Sequence, residues 1–125
     1  MSQEKNQKAW YQAMNSLIYG IKAGISCAYL ARVTRYNEQS QTADIKPLAN
    51  TAGGGSSAQL LDVPVAANLR ALDGILKEPL ITTGACVVCV VLDRDTDNWD
   101  GDATEYDVES NRTHSINDSI IVGVI

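Results

Sequence analysis

Phenylalanine is absent from this chain of 125 residues, histidine occurs once, and cysteine and proline three times each. A single histidine, His114, cannot supply both partners of a histidine metal pair. Three cysteines, Cys27, Cys86 and Cys89, are too few and odd in number for the disulfide framework of a small secreted domain. No apolar run approaches the ~20 residues that a membrane-spanning helix needs. The first residues are polar, with no apolar signal core and small-residue cleavage site behind them, so folding in the cytoplasm is expected. Positive charge is also short. Ten Lys and Arg stand against fifteen Asp and Glu, for a net charge of −5, and the basic residues are scattered. A surface that tracks phosphates needs them clustered, so nucleic acid is not an expected partner.

What is present describes a globular chain: 45% apolar and 20% charged residues. The length fits one domain with an appended helix, and the pattern divides into a helical segment, residues 1–27, and a barrel domain, residues 28–125. In the first segment Trp10, Met14, Leu17, Ile18, Ile21 and Ile25 fall at i, i+4, i+7, i+8, i+11 and i+15, one helical stripe. Gly20 and Gly24 weaken that helix but permit a close neighbour. Two readings stand: the stripe caps the chain's own core, or it packs on a partner.

From Tyr29 the period changes to two. Strands are expected at 29–36 (YLARVTRY), 42–48 (TADIKPL), 59–66 (QLLDVPVA), 85–92 (ACVVCVVL) and 119–125 (SIIVGVI). Pro47 belongs at a strand end or edge. Residues 51–57 (TAGGGSS) form a loop without the Lys-Ser or Lys-Thr of a phosphate cradle, and 69–76 offers one helical turn. The last two strands are apolar at both parities, so both their faces should be hidden from water. A small barrel hides only its inner face. Either the helix or a neighbouring subunit must therefore cover the outside, and Val88, Val90, Leu92, Ile120, Val122 and Val124 are the candidates for that contact.

Three groupings suggest chemistry. Cys86 and Cys89 form a CxxC, but a strand sends them to opposite faces and no second pair completes a zinc site; buried structural cysteines are expected. Asp93, Asp95, Asp97, Asp100 and Asp102 surround Trp99, yet Asn98 and Thr104 stand where a calcium-binding helix-loop-helix needs Gly and Glu. A solvated turn with aspartate caps, anchored by a buried Trp99, fits better. His114 with Asp118, and Glu105, Asp107 and Glu109, lack a nucleophile and any shield from water. No catalytic residue, metal or cofactor is expected.

The stretches Ala31-Arg32-Val33-Thr34-Arg35-Tyr36, Gln41-Thr42-Ala43-Asp44-Ile45-Lys46-Pro47-Leu48 and Leu61-Asp62-Val63-Pro64-Val65, then Asp93-Arg94-Asp95-Thr96-Asp97-Asn98-Trp99 and Arg112-Thr113-His114-Ser115-Ile116-Asn117-Asp118, follow one another in a familiar order. Together they resemble the OB-fold N-terminal domain of central spike proteins from contractile phage-tail baseplates. The resemblance implies a mainly β fold, a five-stranded Greek-key barrel forming a homotrimer on the tail axis, joining hub and tube to the piercing device. It implies that the outer faces of the last two strands meet across the threefold. Asp93, Asp95, Asp97, Trp99, His114 and Asp118 would be structural corners of the barrel. Longer relatives continue into a β-helical shaft with a metal-bound tip. Here the sequence stops after the fifth strand with no His-x-His, so a separate tip protein or a blunt plug is implied. The helix lies outside the resemblance, and its stripe is a candidate for docking on the hub.

The expected function is then structural: a phage or tailocin baseplate component, in the particle, in transient contact with the target cell envelope. The alternative is an OB-fold module binding oligosaccharide or single-stranded nucleic acid, which wants exposed aromatics and basic residues on one face. Seven aromatics, five Tyr and two Trp, and an acidic balance argue against nucleic acid. A peptidoglycan hydrolase finds no acid, base or nucleophile.

Overall fold

A computed structural model describes residues 2–23, 25–50, 53–70 and 78–125. Helix α1 spans Ser2–Ala23, with Glu4 in its first turn and Lys22 in its last, each matched to the helix dipole. Ile25, expected on the helical stripe, lies beyond the helix end, its N–H bonded to the Lys22 carbonyl at 3.2 Å. Gly20 stands near that end, and glycine is a poor helix former.

Five strands follow: β1 Ala28–Asn37, β2 Thr42–Pro47, β3 Leu60–Pro64, β4 Cys86–Val91 and β5 Ser119–Val124. They form one antiparallel sheet in the order β3-β2-β1-β4-β5. The sheet curls until its edges meet: Val65, just past β3, makes a parallel bridge to Ile121 of β5, and the Ala66 N–H donates to the Ile121 carbonyl at 3.0 Å. Irregular register at Val33/Arg35, Ala43/Ile45 and Val88/Cys89 supplies the curvature that a flat ladder would lack. Asp62, in the second of these, takes a left-handed φ of 54°, and its N–H donates to the Asp44 carboxylate at 3.0 Å. Pro47 ends β2, where its missing donor interrupts no ladder.

The concave side holds the core. Ala31, Val33, Ile45, Val87, Cys89 and Ile121 are fully buried there, with Ile81 from the loop before β4. Small and β-branched side chains fill so narrow an interior, consistent with the lack of Phe. A 3-10 turn, Ala67–Leu69, lays Leu69 over one end. The helical turn expected at 69–76 falls for the most part outside the described residues.

Candidate functional site

The acidic-Trp loop and the segment before β5 meet at one corner of the sheet. The Arg94–Thr113 bridge joins them, and Arg112 lies at the centre. Its guanidinium reaches three carboxylates: Asp118 at 2.7 Å, Asp97 at 2.9 Å and Asp95 at 3.2 Å. Asp118, 1% exposed, also accepts from the N–H and hydroxyl of Thr96, both at 3.0 Å. Asp95, 0% exposed, accepts from the Ser110 hydroxyl and the Asp97 N–H. The Arg112 hydrogen bonds hold the Asp118 carboxyl below the usual range, and the Ser110 hydroxyl does the same for Asp95. Arg112 is in turn pushed up, chiefly by its bond to Asp118.

This corner corrects the sequence reading. The turn was expected to be solvated and anchored by a buried Trp99. Instead Trp99 is half-buried, its indole N–H donating to the Asp102 carbonyl at 2.8 Å, and the buried anchors are the charged Asp95 and Asp118. A paired guanidinium makes that burial affordable. The motif Asp93, Asp95, Asp97, Trp99, His114 and Asp118 does converge here. His114 Nε2 lies 3.2 Å from Asp93, outside the Arg112 cluster, with its backbone at a left-handed φ of 48°. Arg112 was not singled out, because nothing in sequence says which basic residue will meet a distant carboxylate.

The oxygens of Asp95, Asp97 and Asp118 lie within 4.8 Å of one another, a spacing that a divalent cation could bridge. Arg112 already brings positive charge to those same oxygens, so the arrangement reads as a strut. Among the described residues, no serine, threonine or cysteine side chain is hydrogen-bonded to a ring nitrogen of His114, as an activated nucleophile would be. Cys89 sits in the core, where burial pushes its thiol up to about 11, and Cys86 lies half-buried on the opposite face. Cys89 therefore lacks the lowered pKa of a redox thiol.

Trp99 separates two open hollows of about 460 and 380 Å³. Among their described lining residues Arg70 is the one cation; it shares its hollow with Asp100, and Asp62 and Asp97 line the other. A phosphate chain finds little there.

The outer face of the sheet is different. Leu30 on β1 pairs with Val88 on β4, Ala28 with Val90, and Val90 with Ile120 on β5. Paired residues share a face, so these side chains form one apolar surface opposite the core, continued by Val122. Leu30 is 46% exposed and Val122 39%; Val88, Val90, Leu92 and Ile120 are half-buried. Leu30 was missed, although its place between inward Tyr29 and Ala31 marks its parity. Val124 does not belong on this face. The irregular register at Val88/Cys89 brings it opposite inward Val87, at the sheet's end, where it stays 37% exposed.

Helix α1 does not cover that surface. Every described side chain along it is exposed, including Trp10 at 66% and Leu17 at 62%, together with Met14, Ile18 and Ile21. No described helix is long and apolar enough to cross a membrane. In comparison with known proteins, no family model matches the chain and no curated protein matches it.

Proposed function

We propose that this chain is a non-enzymatic structural component of a phage-tail or tailocin baseplate. It is an OB-fold Greek-key barrel that trimerises on the tail axis below hub and tube, closes the tube and supports penetration of the cell envelope. One observation carries this reading: among the described residues an apolar sheet face is left partly exposed and an apolar helix stripe exposed along its length. Burying a large apolar side chain contributes about 1.5–3 kcal/mol, so several left wet in one patch mark an association surface. Neighbouring subunits covering β4 and β5 would remove that cost. The strand order, with β3 and β5 meeting in parallel, fits a five-stranded, partly open Greek-key barrel. The number three and the place on the tail axis come from the resemblance of the sequence to central spike domains. Hub and tube proteins, and a tip protein where one is used, are the other partners on this reading.

The corner around Arg112 supports a structural role as well, since its charges are spent on one another. Multi-angle light scattering of the full chain at micromolar concentration tests the proposal, with a trimer expected and a monomer overturning it. An oligosaccharide-binding barrel is the competing reading. It predicts a Trp99 fluorescence change on titration with cell-wall glycan fragments, where the structural reading predicts none.

A further inference from the structure

Trp10, Met14, Leu17 and Ile21 follow one another on α1 at intervals of four, three and four residues, the seven-residue repeat of a coiled-coil seam. In that repeat Met14 and Ile21 take position a, Trp10 and Leu17 take position d, and Tyr11 and Ile18 flank them at e. A seam of this period is filled by side chains from another helix of the same period. Among the described residues α1 is the one α-helix of the chain, and its side chains are exposed. A matching helix has to come from another molecule.

Charge is placed so that a second copy can supply it. Lys5, Lys8 and Lys22 against Glu4 give α1 a net charge of +2. Lys8 and Lys22 fall at b and Lys5 at f, the positions turned away from the seam. Position g, the other flank, holds Asn6, Ala13 and Gly20, none of them charged. Glu4 is the one charge at e, so the flanks of a parallel seam hold no pair of like charges.

The attachment of α1 supplies the parallel arrangement. β1 begins at Ala28, which pairs with Val90, and Val90 pairs with Ile120, so the helix leaves the barrel at one end of the outer β4–β5 face. The Ser26 N–H on the His114 carbonyl at 3.0 Å and the Val91 N–H on the Cys27 carbonyl at 2.8 Å fix that exit. Barrels that meet through this face, related by rotation about one axis, bring the ends of their helices together with all of them pointing the same way.

We infer that the α1 helices of the assembled copies pack on one another as a short parallel bundle about the symmetry axis, through Trp10, Met14, Leu17 and Ile21. The inference rests on the trimeric reading above, and it gives α1 the other copies as its partner in place of the hub. By itself, Ile21 at a beside Leu17 at d favours two strands. Apolar Tyr11 and Ile18 widen the seam, and the barrels fix the number at three. The four seam side chains and Ile18, at roughly 100 Å² each, remove about 500 Å² per helix from water, below the ~800 Å² per partner of a standard interface. The bundle therefore adds to the contact between barrels and does not replace it. Tethered ends meet at a high effective concentration, at which a seam too short to hold free helices together closes.

Seam geometry is tested on the full chain in a Cys27→Ser, Cys86→Ser background, with Cys89 left in the core. Leu17→Cys and Ile21→Cys each place a thiol on the seam, while Gln12→Cys and Asn15→Cys place one at f and b. All four side chains are exposed, so the barrel is expected to fold, and circular dichroism checks that it does. In-register parallel helices face each other residue for residue, so mild oxidation is expected to give disulfide-linked dimers at both seam positions, about fivefold or more above the outward ones. Equal yields at all four positions, links at one seam position only, as an antiparallel pair would give, or none at the seam overturn the inference. Hydrogen exchange gives a reading free of added cysteines. Amides of residues 10–21 in the unmutated chain are expected to exchange about tenfold or more slowly than in the Leu17→Glu, Ile21→Glu chain, and equal rates overturn the inference. Light scattering keeps the two proposals apart. An unmutated trimer without these signs sinks the bundle and leaves trimerisation standing, whereas an unmutated monomer sinks both.

Discussion

At the scale of single residues, Arg112 is the most consequential. It is the counter-charge for Asp95 and Asp118, both buried. Removing one member of a buried, hydrogen-bonded pair leaves the other uncompensated. Asp118→Ala is expected to cost about 3 kcal/mol, roughly 10 °C in melting temperature by circular dichroism. Arg112→Met should also lower the melting temperature at neutral pH, and regain part of the loss as acid neutralises the stranded carboxyls. The intact protein behaves oppositely. Its Asp95 and Asp118 carboxyls have lowered folded values, so their stabilisation is present above the ordinary aspartate range near ~3.9 and is lost as pH falls through those lowered values. A melting temperature that is level from pH 7 to 5 and falls below about 4 is expected; a rise there would contradict the carboxylate–guanidinium account. Thiol labelling gives a separate check. Exposed Cys27 should react first, half-buried Cys86 more slowly, and core Cys89 only on unfolding.

At the scale of elements, the sheet's two faces carry different duties. Ile45, on β2 and fully buried, packs among Val33, Val87 and Ile121, so Ile45→Ala should cost about 3 kcal/mol in urea unfolding. Leu61 sits in the irregular stretch of β3 and is largely exposed, so Leu61→Ala should stay within about 0.5 kcal/mol. Outer-face substitutions belong to a third class. Val88→Glu should leave the monomer's fold intact, because that side chain points away from the core, and should shift the scattering mass toward the monomer. An unchanged mass would remove β4 from the subunit boundary.

At the scale of the whole molecule, charge and apolar surface are divided unevenly. The acidic groups gather at the corner around Trp99, the outer faces of β4 and β5 are apolar while β1 adds both Leu30 and Arg32 to that side, and the helix is basic. The corner is settled internally by Arg112 and by hydrogen bonds among its own loops. The other two surfaces are not. On the proposed reading, this distribution suits a particle component whose surface is completed by its neighbours. Because the contact is mainly apolar, association should weaken little between low and moderate salt, where a contact made of ion pairs would weaken steeply.

Hydrophobic period determined where the five strands lie, to within two residues, and that a helix precedes them, though not where that helix begins, because a two-residue or 3.6-residue repeat is written directly in the chain. The same repeat showed that β4 and β5 have no polar side. Tertiary structure decided what period cannot encode. A register irregularity between β4 and β5 put Val124 opposite Val87, off the parity of Val122, and the fold brought Arg112 onto Asp95 and Asp118 across loops that sequence spacing does not relate. It also left α1 apart from its own sheet, since which apolar face meets which depends on how the chain between them is held.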